Sequence, residues 1–121
     1  MLADFYSIIS IQQQPGLITG EIIFNEAHAI FKGHFPSVPV VPGVCMMQLV
    51  KEIAASQTGY RLQITDASQL KFLNLINPQV NPKVNFNISC TLVGTSMDII
   101  AELRNDPISF FKMKATASIQ S

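Results

Sequence analysis

The chain has 121 residues, the length of one ordinary domain, and is read as a single unit over 1–121. Eight basic and eight acidic side chains cancel, which excludes the basic footprint of a nucleic-acid-binding protein. Hydrophobic residues make up 48% and charged residues only 13%, so a sizeable core is expected beneath a charge-poor surface, with apolar area hidden in an oligomer interface or a ligand tunnel.

Phe5 to Gln12, rich in Phe, Tyr and Ile, reads as a strand, and Gln13-Gln14-Pro15-Gly16 as a turn. Leu17 to Asn25 alternates and reads as the returning strand. A proline-rich loop follows and leads into an apolar, helix-compatible run from Val44 to Ala55. Pro42 suits a first helical turn, because its missing N–H would have no intrahelical partner there. The run is apolar on nearly all sides as far as Val50, which argues for a buried helix, and Gly59 is a natural stop. Four β-like segments come next: Asp66 to Leu75, Lys83 to Gly94, Met97 to Arg104 and Ile108 to Ile119. Val84, Phe86, Ile88, Cys90 and Leu92 keep a period of two. Gly94-Thr95-Ser96 and Asn105-Asp106-Pro107 read as hairpin turns, so the last three strands form an antiparallel meander. One long helix beside about six antiparallel strands is an α+β layer architecture, in which the sheet can wrap round the helix. Phe72, Leu73, Leu75, Phe86, Phe110 and Phe111 read as core.

The two cysteines, Cys45 and Cys90, follow no metal or redox spacing and read as reduced, small hydrophobes. No apolar run reaches the ~18 residues of a membrane span. The N-terminus lacks the basic region of a secretion signal, so a cytoplasmic protein is expected.

The residues from Phe31 to Val44 carry the chemistry. They hold three of the seven prolines, two of the six glycines and one of the two histidines. An imidazole, His34, sits on a stiff segment that feeds the start of a buried helix. That combination offers an acid/base group beside backbone N–H donors, a start for chemistry on a carbonyl. The other histidine, His28, has no motif around it and is expected at a surface or strand end.

The pattern His34-Phe35-Pro36, Pro39-Val40, Pro42-Gly43-Val44 followed by a helix resembles the hot-dog-fold β-hydroxyacyl-(acyl carrier protein) dehydratases. Lys71-Phe72 ahead of Asn77-Pro78 resembles a further segment of that family. The resemblance implies a homodimer, with the possibility of a higher assembly of dimers, whose active sites lie at the interface and take residues from both chains. It implies a 3-hydroxyacyl group carried on the phosphopantetheine of acyl carrier protein or on coenzyme A, dehydrated to a 2-enoyl thioester without metal or organic cofactor. His34 would take the C2 proton, the carbonyl of Val40 would orient the imidazole, and the N–H of Gly43 would polarise the thioester carbonyl. Phe35 and Val44 would complete the substrate contacts. Lys71, Lys112 and Lys114 could meet an acidic carrier.

One position departs from that family. Fourteen residues after the histidine it places a carboxylate that handles the leaving hydroxyl; here that position is Gln48. An amide can hold a hydroxyl by hydrogen bonds but supplies no proton at ordinary pH. Glu52 lies one turn further on, where many members have glutamine, on the same helix face and about 6 Å away; Cys45 is read as projecting to that side. The pair admits two readings. Either Glu52 serves as the acid, directly or through Gln48, or His34 does the chemistry while Gln48 positions the hydroxyl. The rival functions are an acyl thioesterase of the same fold and a non-catalytic acyl-thioester-binding subunit.

Overall fold

The computed structural model describes residues 4–34 and 39–120, with the backbone alone for residues 32–34. The elements run β1 (Tyr6–Gln14), β2 (Leu17–Phe24), α1 (Ala29–His34), α2 (Gly43–Thr58), β3 (Arg61–Phe72), β4 (Lys83–Val93), β5 (Ser96–Asn105) and β6 (Ile108–Gln120). The six strands form one sheet in the order β1-β2-β4-β5-β6-β3, and every neighbouring pair is antiparallel. Strands β4, β5 and β6 make the expected meander. This is the expected α+β hot-dog architecture, a six-stranded antiparallel sheet with one long helix.

The core explains why α2 forms where it does. Its buried residues are Cys45, Leu49 and Ile53 on one row and Met46, Val50 and Ala54 on the next. Both rows have the i, i+4 spacing that stacks side chains on one helix face. They pack against Val84, Phe86 and Ile88 of β4, Met97, Ile99 and Leu103 of β5, and the inward residues of β6. Burying a side chain such as Leu49 contributes about 1.5–3 kcal/mol, so packing rather than intrinsic propensity holds the helix. The helix ends at Gly59, whose φ of 79° is left-handed and whose N–H donates to the Ala55 carbonyl at 2.9 Å.

Three expectations need correction. The segment ahead of the prolines contains a short helix, α1, rather than loop throughout. Asn25 Oδ1 accepts from the Ala27 N–H, and His28 Nδ1 accepts from the Ile30 N–H at 3.1 Å; side chains thus supply the turn and the cap that start it. Phe31 then stacks on Phe5 with ring centroids 5.0 Å apart. Second, β3 begins at Arg61 instead of Asp66 and stops at Phe72 instead of Leu75. It pairs with the last residues of β6, Arg61 opposite Gln120 and Leu62 opposite Ile119, a long-range pairing that local composition does not encode. Third, Phe86, Phe110 and Phe111 are core, but Phe72, Leu73 and Leu75 are not; Leu75 is 74% exposed. Both cysteines are free, Cys45 buried and Cys90 half-buried.

Candidate active site

The helix start is built by its sequence. Val41 N–H donates to the Ile76 carbonyl at 2.9 Å, which ties the incoming segment to the end of the β3 connection. Pro42, extended with ψ 146°, caps α2 without a side-chain hydrogen bond. Its carbonyl takes the amides of Cys45 and Met46 at 3.0 and 3.2 Å. The amides of Gly43 and Val44 meet no acceptor among the described residues, the ordinary state of a first helical turn. They carry the positive end of the helix dipole.

Gly43 borders an apolar cavity of about 510 Å³, lined by Val40, Pro42, Met46, Phe72 and Leu75 among others. Val40 is buried at its edge. The Phe72 ring lies directly on Gly43 and is tilted against Phe111 at 5.2 Å between centroids. Phe72, Leu73 and Leu75, expected in the core, are thus lining of this cavity. Their continuous apolar run gives the same signal for either place.

Gln48 and Glu52 lie elsewhere. They share a second, open cleft of about 640 Å³ with Tyr6, Lys51 and Arg61. Gln48 Nε2 donates to Glu52 Oε2 at 2.9 Å, so the i, i+4 pairing expected from the sequence is made. Tyr6 Oη donates to the other carboxylate oxygen, Oε1, at 3.1 Å. Burial, and then the Glu52 charge and hydrogen bond, raise the Tyr6 phenol well above the ordinary tyrosine range; it remains a donor at any working pH. Cys45 does not join this face. It turns with Leu49 into the core, where burial raises its thiol. Val44 is 71% exposed and lines a third groove of about 250 Å³ with Met47, Gln48, Lys51 and Ile64.

The structure therefore brings Gly43 to Val40 and Gln48 to Glu52, but keeps the pairs apart. Gln48 lies five helical positions beyond Gly43, about 7.5 Å along the axis and about 140° around it. Phe35 and the side chain of His34 fall outside the described residues; the backbone places His34 at the end of α1. Tyr6 was missed from sequence, because it reaches Glu52 from 46 residues away and nothing local marks it.

Residues 10–99 match the family model described as ApeI-like, ApeI dehydratase. The chain belongs to the ApeI-like dehydratase family. Among curated relatives it is similar to the 3-hydroxyacyl-[acyl-carrier-protein] dehydratase FabZ of Magnetococcus marinus, 30% identical over 98 residues, a match covering 76% of this chain and 63% of that protein. The FabZ of Roseobacter denitrificans is 38% identical over 45 residues, covering 37% of this chain and 28% of the relative. The matches thus span less than two thirds of these curated relatives' own length. Among solved structures, the dehydratase heterocomplex ApeI:P from Xenorhabdus doucetiae superposes with a TM-score of 0.75 at 17% identity, covering 93% of this chain and 96% of that one. A putative thioesterase, yhdA, from Lactococcus lactis superposes at 0.69 with 10% identity, covering 96% and 92%. At such identities these two likenesses establish the hot-dog fold. Among the described residues, no helix is long and apolar enough to cross a membrane.

Proposed function

We propose that this chain dehydrates 3-hydroxyacyl thioesters carried on phosphopantetheine, in fatty-acid or related lipid synthesis. The observation that carries the reading is the helix start. A His-Phe-Pro…Pro-Gly-Val run precedes α2 in the sequence, and the Gly43 amide, which meets no acceptor among the described residues, borders an apolar cavity. An acyl chain fits the apolar walls, and the thioester oxygen fits the amide.

In this reading neutral His34 takes the proton from C2, oriented by the Val40 carbonyl. The electron pair moves into the thioester, and the charge on its oxygen is held by the Gly43 N–H. The enolate collapses to the C2–C3 double bond and expels the C3 hydroxyl. That group takes the proton back from the imidazolium and leaves as water, so His34 is neutral again. Gln48 holds the leaving hydroxyl; Glu52, one turn on, is its support. Every step is a proton transfer or an elimination, and none calls on a metal or organic cofactor.

The separation of the Gly43 and Gln48 half-sites supports a homodimer in which each site takes one half from each chain. An acyl carrier protein is the proposed donor of substrate, and the relatives act on such substrates by their names. The free cysteines suit the cytoplasm.

Hydration of a crotonyl thioester, followed by loss of the enoyl absorbance, tests the reading through the reverse reaction. The purified chain should hydrate it, and His34→Ala should slow it by about two to four orders of magnitude. Release of free thiol instead would assign a thioesterase, and a silent chain would assign a binding subunit.

A further inference from the structure

We propose that Tyr6 is a positioning residue which, through Glu52, fixes the end of the Gln48 amide that meets the leaving hydroxyl. The inference rests on the dehydratase reading and deepens it. Each oxygen of the Glu52 carboxylate takes a different donor: Oε1 accepts from Tyr6 Oη at 3.1 Å and Oε2 from Gln48 Nε2 at 2.9 Å. The Gln48 bond comes from helix periodicity and by itself is a weak pairing on an open helix face. The Tyr6 bond comes from outside the helix, at the first residue of β1, which pairs with Phe24 of β2. A residue on a paired strand is a rigid anchor for a side chain that would otherwise hop between rotamers. The competition is real, because Lys51 and Arg61 line the same cleft and either could draw the carboxylate away from Gln48.

The consequence is chemical. A carboxylate only accepts, so it selects the NH₂ end of the amide. Gln48 Oε1 is thereby turned away from Glu52 and presented as an acceptor, with the second N–H as a donor beside it. That is the arrangement a hydroxyl needs in order to be held while it receives its proton from elsewhere. Were Tyr6 absent, the amide could turn over and offer only donors. The opposite role, Glu52 as the proton source, makes the reverse forecast: Tyr6 Oη and Gln48 Nε2 already donate to its two oxygens, so a proton on either would displace a donor, and removing the phenol should help.

The test is Tyr6→Phe alone and in a Gln48→Ala background, read by steady-state hydration of a crotonyl thioester and by nitrogen–proton NMR of the Gln48 side-chain amide. Tyr6→Phe should lower kcat about tenfold with KM changed by no more than about twofold. In the Gln48→Ala background it should change neither. The two Gln48 amide protons, distinct in the parent, should move toward the positions of a free glutamine in Tyr6→Phe. Glu52→Ala removes the same bridge from the other side and should reproduce both effects if Tyr6→Phe fails to fold. Equal kcat losses in both backgrounds, an unchanged or faster Tyr6→Phe enzyme, or unmoved amide resonances would each overturn the proposal. A parent chain without hydratase activity would overturn the dehydratase reading, and the amide resonances would still decide the role of Tyr6.

Discussion

A methyl group at position 43 would stand 2.7 Å from Phe72 Cε1 and 2.9 Å from Phe72 Cζ, well inside van der Waals contact. The glycine is there for that close approach, since Phe72 must cover the helix start that offers its amide. Phe72 is half-exposed and can swing, so Gly43→Ala should fold. It keeps the N–H but moves a wall of the apolar cavity, the proposed seat of the acyl chain. We expect KM for the thioester to rise about tenfold with a smaller change in kcat. Phe72→Leu in the same chain should recover part of the loss. Unchanged kinetics in Gly43→Ala would remove Phe72 from the cavity wall. At this scale the sequence is legible where the chemistry is local. Val40 and Gly43, three positions apart, border one cavity, and the Gln48–Glu52 contact follows from helix period alone. Tyr6 is illegible because only the path of the sheet brings it to Glu52. The places of Phe72, Leu73 and Leu75 are illegible too, because a run of large apolar residues looks the same in a core and in a cavity wall.

The strands carry a second glycine with a different reason. Gly20 on β2 faces Ile11 on β1, just beyond the irregularity between Ile8 and Ser10. A Cβ there would run into the Ser10 carbonyl oxygen and would meet Phe86 Cζ at 2.7 Å and Ile11 Cα at 3.0 Å. Two of those neighbours are backbone and cannot step aside. Gly20→Ala should therefore destabilise by about 1–3 kcal/mol or more, read as a lower urea midpoint at unchanged slope. A midpoint equal to that of the parent would show that β1 and β2 can part at this point. Elements with strong period and clear punctuation were readable: α2 with Gly59 beyond it, and the β4–β5–β6 meander with its turns at Gly94 and Asp106-Pro107. The early start of β3 was not, since Arg61 to Ile64 become strand by pairing with the end of β6. Nor was α1, six residues started by Asn25 and His28 side chains.

Across the whole molecule, the sheet leaves β1 and β3 as its edges. Beside β3 the outward face of α2 carries Val44, Met47, Gln48 and Lys51 against Gln63 and Ile64. Val44, Phe72, Leu75 and Val80 are more than half exposed, on a chain with few charges to solvate it. Such exposed apolar side chains are the ones that the proposed dimer would cover. We expect light scattering of the purified chain to give twice its mass, as the proposed sharing of half-sites between two chains requires. A monomer that is inactive until a related hot-dog chain is added would instead assign it to a mixed dimer. The proposed reaction is read most simply by following a carrier-bound 3-hydroxyacyl chain by mass spectrometry. With the parent protein the acyl group should lose one water to reach equilibrium with its 2-enoyl form, the thioester should stay intact, and His34→Ala should abolish the exchange. Cleavage to a free acid and carrier thiol, or equal turnover in His34→Ala, would rule out dehydration by His34.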